Sequence, residues 1–172
     1  MEPVSGIRRV CLALASDGGG LEALVALLSA GGALDRVLWN EAEPGLQAGV
    51  LPPGVDEPRS LADLVEAAHR AQTALRAADP GRAPALLVLH EGLVRLVDGQ
   101  FDGPALDTVR TLGRVRTAED FGVVLSRRVF EDLAALDVQP LPLARFRPLT
   151  VDGVDALVAG WPVTSDGGRP AR

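Results

Sequence analysis

The chain has 172 residues, of which 47% are apolar, and a net charge of −6 with only 3% aromatics. That suits one domain around one core and excludes a disordered chain, which could not bury enough apolar surface to offset its lost entropy. An acidic, aromatic-poor chain also lacks the basic face and stacking rings of a nucleic-acid binder. All 17 basic residues are arginine, so no P-loop lysine, Schiff-base lysine or lysine general base exists.

Apolar runs such as Ala85–Leu89 fall well short of a membrane span, and no basic-then-apolar leader opens the chain. The single cysteine, Cys11, lies within an apolar run and has no internal disulfide partner, so a buried thiol in a reducing compartment is expected. The chain therefore reads as soluble and cytoplasmic. Its heavy use of Ala, Gly, Pro and Arg points to a GC-rich bacterial source.

In chain order, Arg8–Ala15 reads as a buried strand broken by Gly18-Gly19-Gly20. Leu21–Ala30 follows as a short apolar helix closed by Gly31-Gly32. Leu34–Trp39 and Leu46–Leu51 read as two strands of a hairpin. The clearest helix runs from Leu61 to Ala78, with Leu61, Leu64, Val65, Ala68, Ala71 and Leu75 on one face and Ser60 followed by Asp63 as a capping box. Arg70 and Arg76 lie off that stripe, on a face read as solvated together with His69.

Ala85–His90 is a near-continuous apolar run and so a central strand, with Gly92–Val97 as its partner. Ala105–Val115 reads as a helix, Val123–Ser126 as a strand and Arg127–Leu136 as a helix. Val138–Leu143 and Val154–Trp161 close the sheet. Residues 1–164 form a single domain and residues 165–172 a mobile tail. The class is α+β, a sheet of six to eight strands with helices packed on it.

Four stretches in this order resemble the class III nucleotidyl (adenylate/guanylate) cyclase homology domain. Ala15-Ser16-Asp17-Gly18-Gly19-Gly20-Leu21 resembles the exit of that family's first strand. Leu87-Val88-Leu89-His90-Glu91-Gly92-Leu93-Val94 resembles its central strand pair. Asp98-Gly99-Gln100-Phe101-Asp102-Gly103-Pro104 resembles the turn into its transition-state helix, and Val123-Val124-Leu125-Ser126-Arg127 a later strand exit. The resemblance implies a ferredoxin-like, cyclase-type, mainly antiparallel sheet.

In that family two carboxylates hold two divalent cations that activate the ribose hydroxyl and neutralise phosphate charge. An Asn and an Arg from a partner subunit stabilise the transition state. By the resemblance Asp17 is the first metal carboxylate and Glu43 the remnant of the second, which has lost both flanking glycines. Trp39 stands at the base-selecting lysine, Gln100 at the partner's base reader, Asp107 at the Asn and Thr111 at the Arg. Arg110 is one residue off, about 100° around the helix. Asp17 and Glu43 are only 26 positions apart, which shortens the first helix relative to the family.

These departures imply a degenerate domain, a non-catalytic signalling module with no catalytic residue and no cofactor. It would act by homodimerisation or by binding another signalling protein. Phe101, Leu106 and Val109 are candidate interface residues, and Gly20, Asp107 and Arg110 candidate remnants of the cleft. A small-ligand or nucleotide-binding domain, or a divergent active cyclase, are the other readings. The residues leave plainer roles open. Asp17 suits a glycine turn before a helix, Glu43 a solvated hairpin charge, and His90 a core or edge histidine. Arg127, Arg128, Arg145 and Arg147 suit either an anion patch or solvated edges.

Overall fold

The computed structural model describes residues 6–40 and 42–161. The tail expected at 165–172 lies outside them. Eight strands form one sheet: β1 (Ile7–Ser16), β2 (Leu38–Trp39), β3 (Leu46–Val50), β4 (Ala85–Val97), β5 (Gln100–Asp102), β6 (Phe121–Ser126), β7 (Arg147–Val151) and β8 (Val154–Trp161). Their order is β2-β3-β1-β4-β6-β8-β7, with β5 paired to the far end of β4. β4 and β6 pair in parallel, and every other described strand pairing is antiparallel.

Four helices cover the sheet: α1 (Gly20–Ala30), α2 (Pro58–Ala78), α3 (Pro104–Leu112) and α4 (Arg127–Ala134). Alternation along the central strands splits the core in two. Val10, Leu12, Leu14, Leu87, Leu89, Val123 and Leu125 face α1, α2 and α4. Cys11, Ala13, Ala15, Leu86, Val88 and Val124 face the other way, onto Ala105, Leu106, Val109 and Leu112 of α3. Near-continuous apolar strands follow from this, because both faces of β1, β4 and β6 are covered.

The expected pair Ala85–His90 and Gly92–Val97 is one unbroken strand of 13 residues. β1 runs beside it from Ser16↔Ala85 to Ile7↔Val94, so the ladder carries straight through His90, Glu91 and Gly92. The turn comes later, at Asp98 and Gly99, whose φ values of 50° and 80° suit a tight two-residue hairpin into β5.

Leu34–Trp39 keeps only Leu38–Trp39 as strand, since Asp35 and Val37 donate to the carbonyls of Gly32 and Leu34 in successive turns. Residues 138–143 do not form a strand. Pro140 and Pro142 remove ladder donors there, and a 3₁₀ turn spans Leu143–Arg145. The edge strand is instead β7, joined to β8 through Asp152-Gly153. α2 starts earlier than the Ser60 capping box implied: Glu57 is the extended cap and Pro58 the first helical residue, where its fixed φ fits and its missing N–H is no loss.

Candidate functional site

Asp17, Gly18 and Gly19 turn the chain from β1 into α1, with Gly18 and Gly19 at φ 63° and 80°. Across from them the β2–β3 hairpin brings Ala42, Glu43, Pro44 and Gly45 alongside. Between the turn, the first half of α1 and this hairpin lies a cleft of about 630 Å³. The two residues that the sequence offered as metal carboxylates thus do meet, at the lip of one cavity, with Glu22 of α1 also lining it.

Both carboxylates are already engaged. Arg116, in the loop between α3 and β6, donates from Nε to Asp17 Oδ2 at 3.0 Å and from Nη2 to Asp17 Oδ1 at 2.9 Å. That hydrogen-bonded guanidinium is the main reason the Asp17 carboxyl is held below its ordinary range. Arg110 approaches Glu43 Oε1 at 3.3 Å and Asp107 Oδ1 at 3.6 Å. Among the described residues no group of three or more His, Cys, Asp or Glu side chains is placed to hold a metal ion. Both Asp17 oxygens, where the resemblance places a divalent cation, are instead paired with a bidentate guanidinium.

The other cleft candidates lie apart from Asp17 within one chain. The Gly20 carbonyl accepts from Nη2 of Arg82, and a Cβ at Gly20 would sit 2.8 Å from Ser16 Oγ, so this glycine is packed against the fold's interior. Asp107 and Arg110 sit on α3, on the opposite face of the sheet from α1. They reach the cleft only through the Arg110–Glu43 pair. Gln100 is exposed in β5, and Trp39 is half-buried beside β3 at Gly49.

Leu106 and Val109 are fully buried beneath α3 and cannot be an interface. They were the right residue type on a helix whose apolar face turns inward. Phe101 is only partly buried, packed at the edge of that core. Exposed apolar side chains lie on the start of β1 and the far half of β4, on both faces of that ladder. Ile7, Leu93, Leu96 and Val97 are 39%, 48%, 63% and 45% exposed.

Cys11 is wholly buried, as expected, and its thiol is pushed up to about 12 by burial, against a weaker downward pull from Arg110. His90 lies half-buried, with Nδ1 lacking a hydrogen-bond partner, and burial first and then the charge of Arg8 hold its pKa down. His69 is not on a solvated face. Its ring packs 5.6 Å from Phe121 and 6.4 Å from Trp161. Of the four arginines weighed as an anion patch, Arg128 pairs with Asp132 at 3.7 Å, and Arg147 folds back onto the carbonyls of Ala144 and Phe146.

No family model and no curated protein sequence matches the chain. Solved structures do. An adenylate/guanylate cyclase/hydrolase from Silicibacter pomeroyi superposes with a TM-score of 0.60 at 14% identity, over 90% of this chain and 98% of that one. A Trypanosoma brucei adenylate cyclase in its monomeric state gives 0.59 at 9% identity, over 88% and 87%. The guanylate cyclase domain of RhGC from Catenaria anguillulae, in complex with GTP, gives 0.56 at 16% identity, over 90% and 96%. At these identities the likeness speaks for architecture, and it spans nearly the whole of each domain. This chain has the fold of the class III nucleotidyl cyclase domain.

Proposed function

We propose that this chain is a non-catalytic signalling module on a cyclase-type fold, acting through self-association. The observation that carries the reading is the apolar arm. Four of the seven exposed large hydrophobic residues among those described, Ile7, Leu93, Leu96 and Val97, lie at the start of β1 and on the projecting half of β4. Leu96 follows the buried Val94 by two residues, and Ile7 pairs with Val94, so these two lie on the α3 side, Leu96 opposite Phe101, while Leu93 and Val97 alternate onto the other face of the arm. An arm that exposes apolar side chains on both faces offers the kind of surface that interaction sites use.

A second copy is the occupant that fits. The charges of the arm are neutralised locally, Arg95 with Asp102 at 2.9 Å and Arg8 with Glu91 at 3.6 Å. They offer no net charge to recruit an oppositely charged partner, whereas an apolar patch is compatible with itself across a two-fold axis. The arginine-paired Asp17 and Glu43, and the acidic Asp107 on α3, support the absence of catalysis.

Light scattering should give twice the chain mass, and Leu96→Glu should yield a folded monomer. Wild-type protein that stays monomeric at high micromolar concentration overturns self-association and leaves a heteromeric signalling partner. The protein should form no cyclic product from ATP or GTP. Cyclic nucleotide that disappears in Asp17→Ala would establish a divergent active cyclase instead. The cleft beside the glycine turn favours a second reading, a small-ligand or nucleotide-binding domain, because its volume suits such a ligand. Calorimetric titration with nucleotides, with and without manganese, separates the two.

A further inference from the structure

In the family that the sequence resembles, a divalent cation sits at the carboxylate that leaves β1, and here both oxygens of that carboxylate are paired with a guanidinium. We infer that Arg116 takes the place of that cation: the chain supplies its own fixed positive charge to Asp17. This deepens the non-catalytic reading of the same site and rests on it.

The arrangement is built from several directions. Asp17 and Arg116 are 99 positions apart in sequence, yet Nε and Nη2 meet the two carboxylate oxygens at 3.0 and 2.9 Å. This is the planar fork that arginine, and not lysine, can offer. The remaining terminal nitrogen, Nη1, donates to the carbonyls of Gly113 and Val115 at 2.7 and 2.8 Å. Gly113 is the residue at which α3 ends, where unsatisfied carbonyls carry partial negative charge and favour a cation. Backbone carbonyls on one side and Asp17 on the other therefore hold the guanidinium in one orientation. The second carboxylate is treated alike, Glu43 meeting Arg110 from α3 itself. Asp17 and Glu43 are thus each tied by an arginine, from the loop after α3 and from α3 itself.

Two consequences follow. A metal ion would have to displace a bidentate, preorganised group and then sit within a few ångströms of its positive charge. The glycine turn is also fastened to the α3–β6 loop without a metal, so its conformation does not depend on one.

The test is uptake of free Mn²⁺, read by the loss of its solution paramagnetic resonance signal, with no nucleotide present and no assay of product or assembly. It therefore fails or succeeds independently of catalysis and dimerisation. Wild type and Asp17→Asn should leave the signal equally intact. Arg116→Ala combined with Arg110→Ala frees both Asp17 and Glu43 and should take Mn²⁺ up, and adding Asp17→Asn should lose that uptake. Arg116→Gln in place of Arg116→Ala removes the charge while keeping a donor for the Gly113 carbonyl and should give the same result, which guards against an unfolded variant. Mn²⁺ uptake by wild type that Asp17→Asn abolishes would overturn the inference. So would folded Arg116 and Arg110 double variants that bind no more than wild type.

Discussion

Gln72 and Arg82 are joined inside the protein by a side-chain hydrogen bond, Arg82 Nε to Gln72 Oε1 at 2.8 Å. The amide nitrogen of Gln72 in turn donates to the carbonyls of Ala83 and Asp120, both at 3.1 Å, while Arg82 also donates to the Gly20 carbonyl. One buried glutamine thus ties the end of α2 to the start of β4 and β6, and the arginine extends the tie to α1.

Breaking this network should be costly because Gln72 at its centre is fully buried. Gln72→Ala should destabilise by about 1–3 kcal/mol for each carbonyl or guanidinium donor left unpaired. Arg82→Met should cost a similar amount, and the double variant less than the sum, since each single change already orphans the other partner. Urea unfolding of the three variants gives all the terms. Additive losses would show that the two side chains are not coupled.

Along α2 the four positions set out from the sequence separate by burial and partners. Leu64 is buried, and Leu64→Ala should cost about 2–4 kcal/mol. Leu75 is only partly buried against the same core, so Leu75→Ala should cost about half as much or less. Arg70 is exposed, and its removal should change stability by about 0.5 kcal/mol at most. Arg76 is no bystander: it meets Asp120 at 3.1 Å and donates to the Arg82 carbonyl. Arg76→Ala should cost more than Arg70→Ala, and thermal unfolding of the pair checks the order.

Cys11 should resist thiol reagents in the native protein and react at once in denaturant, because no native surface exposes it. Its folded pKa of about 12 lies above the ordinary value of 9.0, so the folded state holds its proton where the unfolded state releases it. This contribution is fully present below pH 9.0 and is lost as pH rises toward 12. The slope is at most about 1.4 kcal/mol per pH unit. Unfolding free energies at pH 8 and pH 10 should differ more for wild type than for Cys11→Ala.

Gly103, which caps α3, has φ 122° and ψ −177°, a conformation that only glycine adopts freely. A Cβ there would also lie 3.3 Å from the Leu93 carbonyl of β4. Gly103→Ala should cost about 1–3 kcal/mol. Gly99→Ala, with open space around it at φ 80°, should cost less. If the two cost the same, close approach to β4 contributes nothing and left-handed strain alone accounts for the loss.

Much of the architecture was legible because it rests on local periodicity. β1, β6 and β8 and the helices α1 and α2 all follow from apolar runs, helical spacing and turn residues. The continuity of β4 was not, because Gly92 reads as a break until β1 is seen pairing through it. The Asp152-Gly153 hairpin was present as a signal but lost to the apolar run before it, where two prolines decide against a strand.

By itself the sequence determined the α+β class, the placement of Asp17 at a glycine turn and of Glu43 in a hairpin, and the burial of Cys11, since each depends on residues close along the chain. Only the tertiary structure decided what those carboxylates meet. Arg116 lies 99 positions from Asp17, and Arg110 reaches Glu43 from a helix on the other side of the sheet. It likewise decided that Leu106 and Val109 face inward while Leu96 faces out. An apolar side chain has the same pattern whether a neighbouring layer covers it or not, so burial is settled only when the layers are assembled.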